Sequence, residues 1–238
     1  MTGSYFITGT DTDVGKTLVT AALLSRLLKG GVDAVPMKPV QTGCPRRADG
    51  TLADLDLEIC LSLNGLALPD DERRLIAPYR FEPACSPHLA AAKGGIHIEF
   101  TKICAAADEL MQRHQTVLIE GAGGILVPID EDKTMLDLMI ELGLPVIIAS
   151  RPGLGTINHT LLTISELHKA GLKVHGVVFC ETRPMSWGDI ERDNWRTIER
   201  FGKTKVLGCV PYLPGLADGA LTPEGFAAAI ENKLPMLM

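Results

Sequence analysis

Tyr5-Phe6-Ile7-Thr8-Gly9-Thr10-Asp11-Thr12-Asp13-Val14-Gly15-Lys16-Thr17 runs from a short strand-like segment through a glycine-bounded loop into Gly-Lys-Thr, and an apolar helical pattern begins at once. Strand, loop and helix in that order are what a phosphate-binding loop needs. Successive backbone N–H groups and the helix N-terminus wrap a polyphosphate, Lys16 neutralises its outer oxygens, and Thr17 offers a hydroxyl to Mg²⁺. Five residues separate Gly9 from Gly15, one more than in the common form of the motif. Asp11 and Asp13 add carboxylates that a pure anion receptor would avoid; they suit a site where a cation or an amine-bearing substrate lies close by.

Outward from this loop, short runs rich in β-branched residues alternate with longer segments of helical period, the mark of βαβ units around a parallel sheet. Strands are expected at Tyr5–Thr8, Ala34–Lys38, Thr116–Glu120, Pro145–Ser150, Val174–Cys180 and Lys205–Val210. Helices are expected at Lys16–Lys29, Asp54–Leu63, Glu99–His114, Met135–Leu142, Ile157–Lys169, Asp189–Arg200 and Pro223–Asn232. The fold class is therefore α/β, a single-domain P-loop fold over residues 1–238 with a mostly parallel central sheet of six or seven strands flanked by helices. Val40–Gly95, punctuated by Pro45, Pro69, Pro83 and Pro87, departs from the alternation. Insertions of this kind sit at the carboxyl edge of an α/β sheet, where ligands bind.

Composition narrows the partners. The chain of 238 residues is 46% hydrophobic, with mean hydropathy +0.17, enough for a substantial core and unlike a disordered or collagen-like sequence. A formal net charge of -6 has the wrong sign for wrapping a nucleic-acid backbone. No apolar run approaches the roughly 20 residues that span a bilayer, and no secretory leader precedes Tyr5, so the expectation is a cytoplasmic protein without a membrane partner. The cysteines Cys44, Cys60, Cys85, Cys104, Cys180 and Cys209 are scattered, without metal-ligand spacing, and read as reduced thiols.

Two further segments carry chemistry. Met37-Lys38-Pro39 places a lysine at the carboxyl end of a parallel strand, just where a proline stops pairing; there it can act as a second cation for the charge that spreads over a transferring phosphoryl group, or simply cap a strand end. Thr116-Val117-Leu118-Ile119-Glu120-Gly121-Ala122-Gly123-Gly124 ends an apolar strand in a carboxylate followed by small residues. That arrangement suits an acid that meets Mg²⁺ and a backbone that approaches phosphate closely. Asp54 and Asp56 are both candidates for a third oxygen ligand, one of them also serving as the N-cap of its helix.

Taken together, the long loop, Lys38-Pro39-Val40 with Thr42-Gly43, Ser86-Pro87-His88, Glu120-Gly121-Ala122-Gly123-Gly124, Leu154-Gly155-Thr156-Ile157-Asn158-His159 and Val210-Pro211-Tyr212-Leu213 resemble the dethiobiotin synthetases over nearly the whole chain. The resemblance implies an ATP-dependent cyclo-ligase of biotin biosynthesis. CO₂ adds to one amine of 7,8-diaminononanoate, ATP phosphorylates the carbamate, and the neighbouring amine closes the ureido ring with release of ADP and phosphate. It implies Lys38, Lys16 and Thr12 as catalytic residues and Thr17, Asp54 and Glu120 as Mg²⁺ ligands. Asp13, Val14, Gly15, Leu18, Gly121, Ala122 and Gly123 would join them around the nucleotide, with Cys180, Glu181, Pro211, Tyr212 and Leu213 near the base. Thr12, Lys38, Thr42, Ser86, Gly155 and Asn158 would face the diamine or its carbamate, the last two across a homodimer interface. For Asn158 and His159, helix capping and a core histidine are equally open readings.

At two points the sequence departs from related patterns. The family places an asparagine after the strand ending at Phe179; here Cys180-Glu181 follows. A thiol cannot make the paired hydrogen bonds that select adenine, which leaves the base to backbone groups and Pro211-Tyr212-Leu213, or to other nucleoside triphosphates. A competing class, the dimeric switch ATPases of chromosome partitioning and division-site selection, carries an extra lysine five residues before the main one. Asp11 stands there instead.

Overall fold

A computed structural model describes residues 3–235 and 237. β1 (Tyr5–Gly9) is followed by α1 (Lys16–Lys29), β2 (Ala34–Met37), β3 (Val40–Gln41), α2 (Leu55–Leu63), α3 (Asp70–Leu75), β4 (Tyr79–Arg80), α4 (Pro87–Gly94) and α5 (Phe100–Arg113). β5 (Thr116–Gly124), α6 (Met135–Leu142), β6 (Val146–Ser150), α7 (Thr156–Lys169), β7 (Val174–Cys180), α8 (Asp189–Gly202), β8 (Val206–Val210) and α9 (Pro223–Ile230) complete the order. Six strands form one sheet in the order β2-β5-β1-β6-β7-β8, with parallel pairing throughout.

The apolar runs of the central strands are continuous because both faces of the sheet are covered, and the twofold side-chain period divides each run between two cores. On β1, Phe6 joins the core beneath α5, α6 and α7, while Tyr5 and Ile7 join the one beneath α1 and α9. β7 repeats the split, with Val177 and Phe179 on the first side and Val178 and Cys180 on the second. Phe6, Phe179, Phe226 and Leu23 are fully buried. Each such side chain contributes about 1.5–3 kcal/mol by leaving water.

The expected strands and helices of the main sheet are all present, with ends differing by a residue or two. The exception is β5, which runs on through the small residues to Gly124. Val40–Gly95 holds structure that its sequence pattern did not reveal: β3 and β4 pair in parallel as a separate two-stranded sheet, and α3 and α4 flank it. This segment carries Thr42 and Ser86 to the edge of the main sheet, and Ser86 stands at the N-cap of α4 without a side-chain capping bond.

Register builds the site. Met37 pairs with Ile119, so the next residues, Lys38 and Glu120, leave adjacent strand ends side by side. Ile7 pairs with Glu120, which brings the loop after β1 to the same place. Strand order thus gathers residues more than 80 positions apart at one carboxyl edge.

Candidate active site

The loop between β1 and α1 is held in a strained shape. Asp13 has φ 56° and Gly15 has φ 89°, left-handed values that turn backbone N–H groups inward as an anion-binding concavity. Gly15 has no substitute for a second reason: a Cβ there would collide with Cys180. Val14, between them, is fully buried in the core and anchors the loop. Lys16 donates from Nζ to the backbone oxygen of Asp11 at 2.8 Å, arching over the loop it closes. Burial, then the nearby Lys38, lowers its pKa to about 8.

Beside the loop lies a compact charge cluster. Lys38 Nζ is 2.6 Å from Glu120 Oε1 and 2.8 Å from Asp56 Oδ2, and it donates to the Gly121 carbonyl at 3.2 Å. The Thr17 hydroxyl donates to the same Glu120 oxygen at 3.0 Å. Burial works against charge on Lys38, but Glu120 and Asp56 outweigh it and hold the ammonium's pKa above the ordinary lysine value. For Asp56 burial likewise opposes ionisation, and Lys38, with Gln41 and Thr17, prevails, holding the carboxyl below its usual value. Both shifts agree on an ionised pair.

These groups line a cleft of about 740 Å³, whose walls also include Thr12, Asp13, Thr42, Ser86, Ala122 and Gly123. The structure therefore brings together most of the residues expected around the phosphates and the diamine. Asp54 is not among them. It stands at the N-cap position of α2 and its carboxylate pairs with Arg80, whereas Asp56, one residue into the helix, reaches the cluster. Of the two alternatives that the sequence left open for a third oxygen ligand, the geometry favours Asp56 over Asp54. Two residues apart at a helix start point in different directions, and Arg80, 26 positions downstream, claims the other one. Thr17, Asp56 and Glu120 offer hard oxygen donors, a set that fits Mg²⁺ arriving with phosphate oxygens of its own. Among the described residues, no group of three or more His, Cys, Asp or Glu forms a complete protein cage for a metal.

The far side of the edge differs from expectation. Cys180 is fully buried against Gly15, with its thiol pushed up to about 12 by burial, and offers the nucleotide no charged group. The Glu181 carboxylate is taken up within the fold, accepting from the Trp187 indole N–H and from the Tyr212 backbone N–H at 3.0 Å. Leu213 is a core residue, and Tyr212 is the exposed member of the Pro211–Leu213 turn. Cys180, Glu181 and Gly155 border a neighbouring hollow of about 380 Å³ that shares Thr182 with the main cleft. Gly155 is the N-cap of α7, so Asn158 lies inside the helix rather than at its cap, and His159 is exposed rather than a core residue. Trp187 and Arg151, which pairs with Asp11 at 3.3 Å, were not singled out by sequence, because neither carries a motif.

These features define a P-loop nucleotide-binding α/β protein. A family model described as an AAA domain matches residues 3–220. In fold the chain is similar to the MinC:MinD cell division protein complex of Aquifex aeolicus, with TM-score 0.58 and 15% identity, covering 99% of this chain and 98% of that one. It is likewise similar to a ParA family ATPase from Chlorobium tepidum, with TM-score 0.57 and 10% identity, over 99% and 94%. Likeness at that identity concerns the fold alone. In sequence it is 39% identical to the ATP-dependent dethiobiotin synthetase BioD of Halalkalibacterium halodurans, over 90% of this chain and 86% of the relative. It is 35% identical to that of Chromohalobacter salexigens over 98% of both. The chain belongs to the dethiobiotin synthetase family.

Proposed function

We propose that this protein is an ATP-dependent dethiobiotin synthetase acting on 7,8-diaminononanoate and CO₂. The observation that carries the reading is the Lys38, Glu120, Asp56 and Thr17 cluster set against the phosphate loop and opening into a cleft bordered by Thr12, Thr42 and Ser86. One amine of the diamine attacks CO₂ and loses a proton to give a carbamate. A carbamate oxygen attacks the γ-phosphorus as the bond to ADP breaks. The second amine then attacks the carbonyl carbon of the mixed anhydride, expelling phosphate and closing the ring.

Carbamate and triphosphate repel each other, so the chain must hold two anions in line. Lys16 and Lys38, which both line the cleft, share that charge, fixed in advance by the fold rather than recruited from solvent. Thr17, Asp56 and Glu120 would hold Mg²⁺, which neutralises phosphate oxygens when bound. Thr12, Thr42 and Ser86 supply hydroxyls facing the diamine. At the N-terminus of α7, Gly155 and Asn158 lie beside Leu154, 94% exposed, and Leu162, 57% exposed. An apolar surface of that kind supports a homodimer in which this end receives the substrate carboxylate from the partner. Among the described residues, no helix is long and apolar enough to cross a membrane.

Incubation of the pure protein with ATP, Mg²⁺, bicarbonate and 7,8-diaminononanoate is expected to yield dethiobiotin with equimolar phosphate. Phosphate release that does not depend on the diamine, or no release at all, would overturn the reading.

A further inference from the structure

The Lys38 ammonium occupies the middle of the oxygens that, on the function proposed above, receive Mg²⁺. It contacts Glu120 at 2.6 Å and Asp56 at 2.8 Å; the side chains of Lys38 and Glu120 are 6% and 5% exposed, and that of Asp56, 30% exposed, faces the cleft. A divalent metal ion and the Lys38 ammonium compete for these carboxylates, because like charges so close repel strongly, and the doubly charged ion outcompetes the single charge. The lysine has somewhere to go: its own strand end borders the cleft beside Thr42 and Ser86, and the Gly121 carbonyl at 3.2 Å is a contact outside the two carboxylates.

We propose that Lys38 is the built-in occupant of the cation site. In the nucleotide-free protein it pairs with Glu120 and Asp56 and holds them in place; when the metal-bound triphosphate enters, it is displaced into the cleft. There it becomes the positive group that meets the substrate's anionic oxygen. The positioning role and the catalytic role thus follow one another, and the substrate-binding charge is released only after the nucleotide is seated. Nucleotide and carbamate therefore strengthen each other's binding, as any coupling between two sites must be reciprocal.

Mn²⁺ binding, read by electron paramagnetic resonance at pH 8 with a saturating non-hydrolysable ATP analogue and no diamine, tests this. Lys38→Met is expected to bind Mn²⁺ at least tenfold more tightly than the wild type, because the competing charge is gone. Lys38→Arg, which keeps the charge, is expected to stay within threefold, and Asp56→Asn to bind at least tenfold more weakly. Unchanged or weaker binding in Lys38→Met, with Asp56→Asn weakened, overturns the displacement and leaves the cation assignment standing. Wild-type binding in Asp56→Asn overturns both. A readout on the wild-type protein covers the case of a variant that does not fold: the ¹⁵N resonance of Lys38 Nζ is expected to shift when Mg²⁺ is added to the analogue complex. An unmoved resonance overturns the proposal.

Discussion

At the carboxyl ends of β2, β5 and β1, Lys16, Lys38, Asp56 and Glu120 crowd into one cleft. At the ends of β6 and β7, the residues at the same depth are hydroxyls, a thiol and a carboxylate already spent. Ser150 hydrogen-bonds Thr156 at 2.7 Å and Thr160 at 2.9 Å, Cys180 packs on Gly15, and Glu181 is bonded to Trp187 and Tyr212. One half of the edge concentrates charge around a cleft; the other engages Ser150 and Glu181 within the fold. Burying charge costs several kcal/mol per ion unless it is paired. On the proposed function, buried charge is placed where the phosphoryl group would be transferred.

The sharpest way to break this contrast is at Lys38. Lys38→Gln is expected to lower kcat about 10³-fold, in line with losing a preorganised group at developing charge, while the nucleotide Kd changes less than about tenfold on the same scale of reasoning. Equal losses in both, measured by steady-state kinetics and calorimetry, would make Lys38 a plain binding residue. Next comes the pair at the start of α2. Asp56→Asn should raise the Mg²⁺ concentration needed for half-maximal rate by about tenfold or more, whereas Asp54→Asn should leave it unchanged and instead lower stability by about 1–2 kcal/mol through the loss of Arg80's partner. A reversed pattern would return the ligand role to Asp54.

Lys16 gives a pH test. Its pKa in the free protein is lowered to about 8, and bound phosphates favour the charged form, so binding takes up a proton when the free lysine is neutral. Affinity for Mg²⁺-ATP should therefore fall as pH rises from 8 to 9, by up to about tenfold per unit. Calorimetry in buffers of different ionisation enthalpy should show uptake approaching one proton at pH 9 and close to none at pH 7. The smallest effect is expected at Glu181. Glu181→Gln keeps an acceptor for the Tyr212 N–H, so turnover should change less than about threefold, while the Trp187 fluorescence shifts as its indole loses a charged partner. A large loss of turnover would show that this half of the edge also works through charge.

Much of this was legible in the chain. Lys16–Lys29, Met135–Leu142 and Val174–Cys180 have the bounds that their periodicity predicts, because long amphipathic or doubly buried segments carry their burial pattern in their residues. β3 and β4 did not show. Two residues have no period, and each strand exists only because the other is there to pair with it. α3 was equally silent: six mostly charged residues with none buried leave no apolar stripe to read.

The residues alone were enough for the phosphate loop, for a lysine and a glutamate each ending an apolar strand, and for the family resemblance. Each is a local pattern: glycines and an asparate-rich turn before Gly-Lys-Thr, an apolar run ending in a charge. The tertiary structure set which carboxylate meets Lys38 and which meets Arg80, and that Cys180 packs against Gly15 of the loop. It also decided that Glu181 is bound to Tyr212 and Trp187. Arg80 lies 26 residues from Asp54 and Tyr212 lies 31 from Glu181, while Gly15 and Cys180 are 165 positions apart. Side-chain direction and available partners are properties of the packed sheet edge, and no window of sequence contains them.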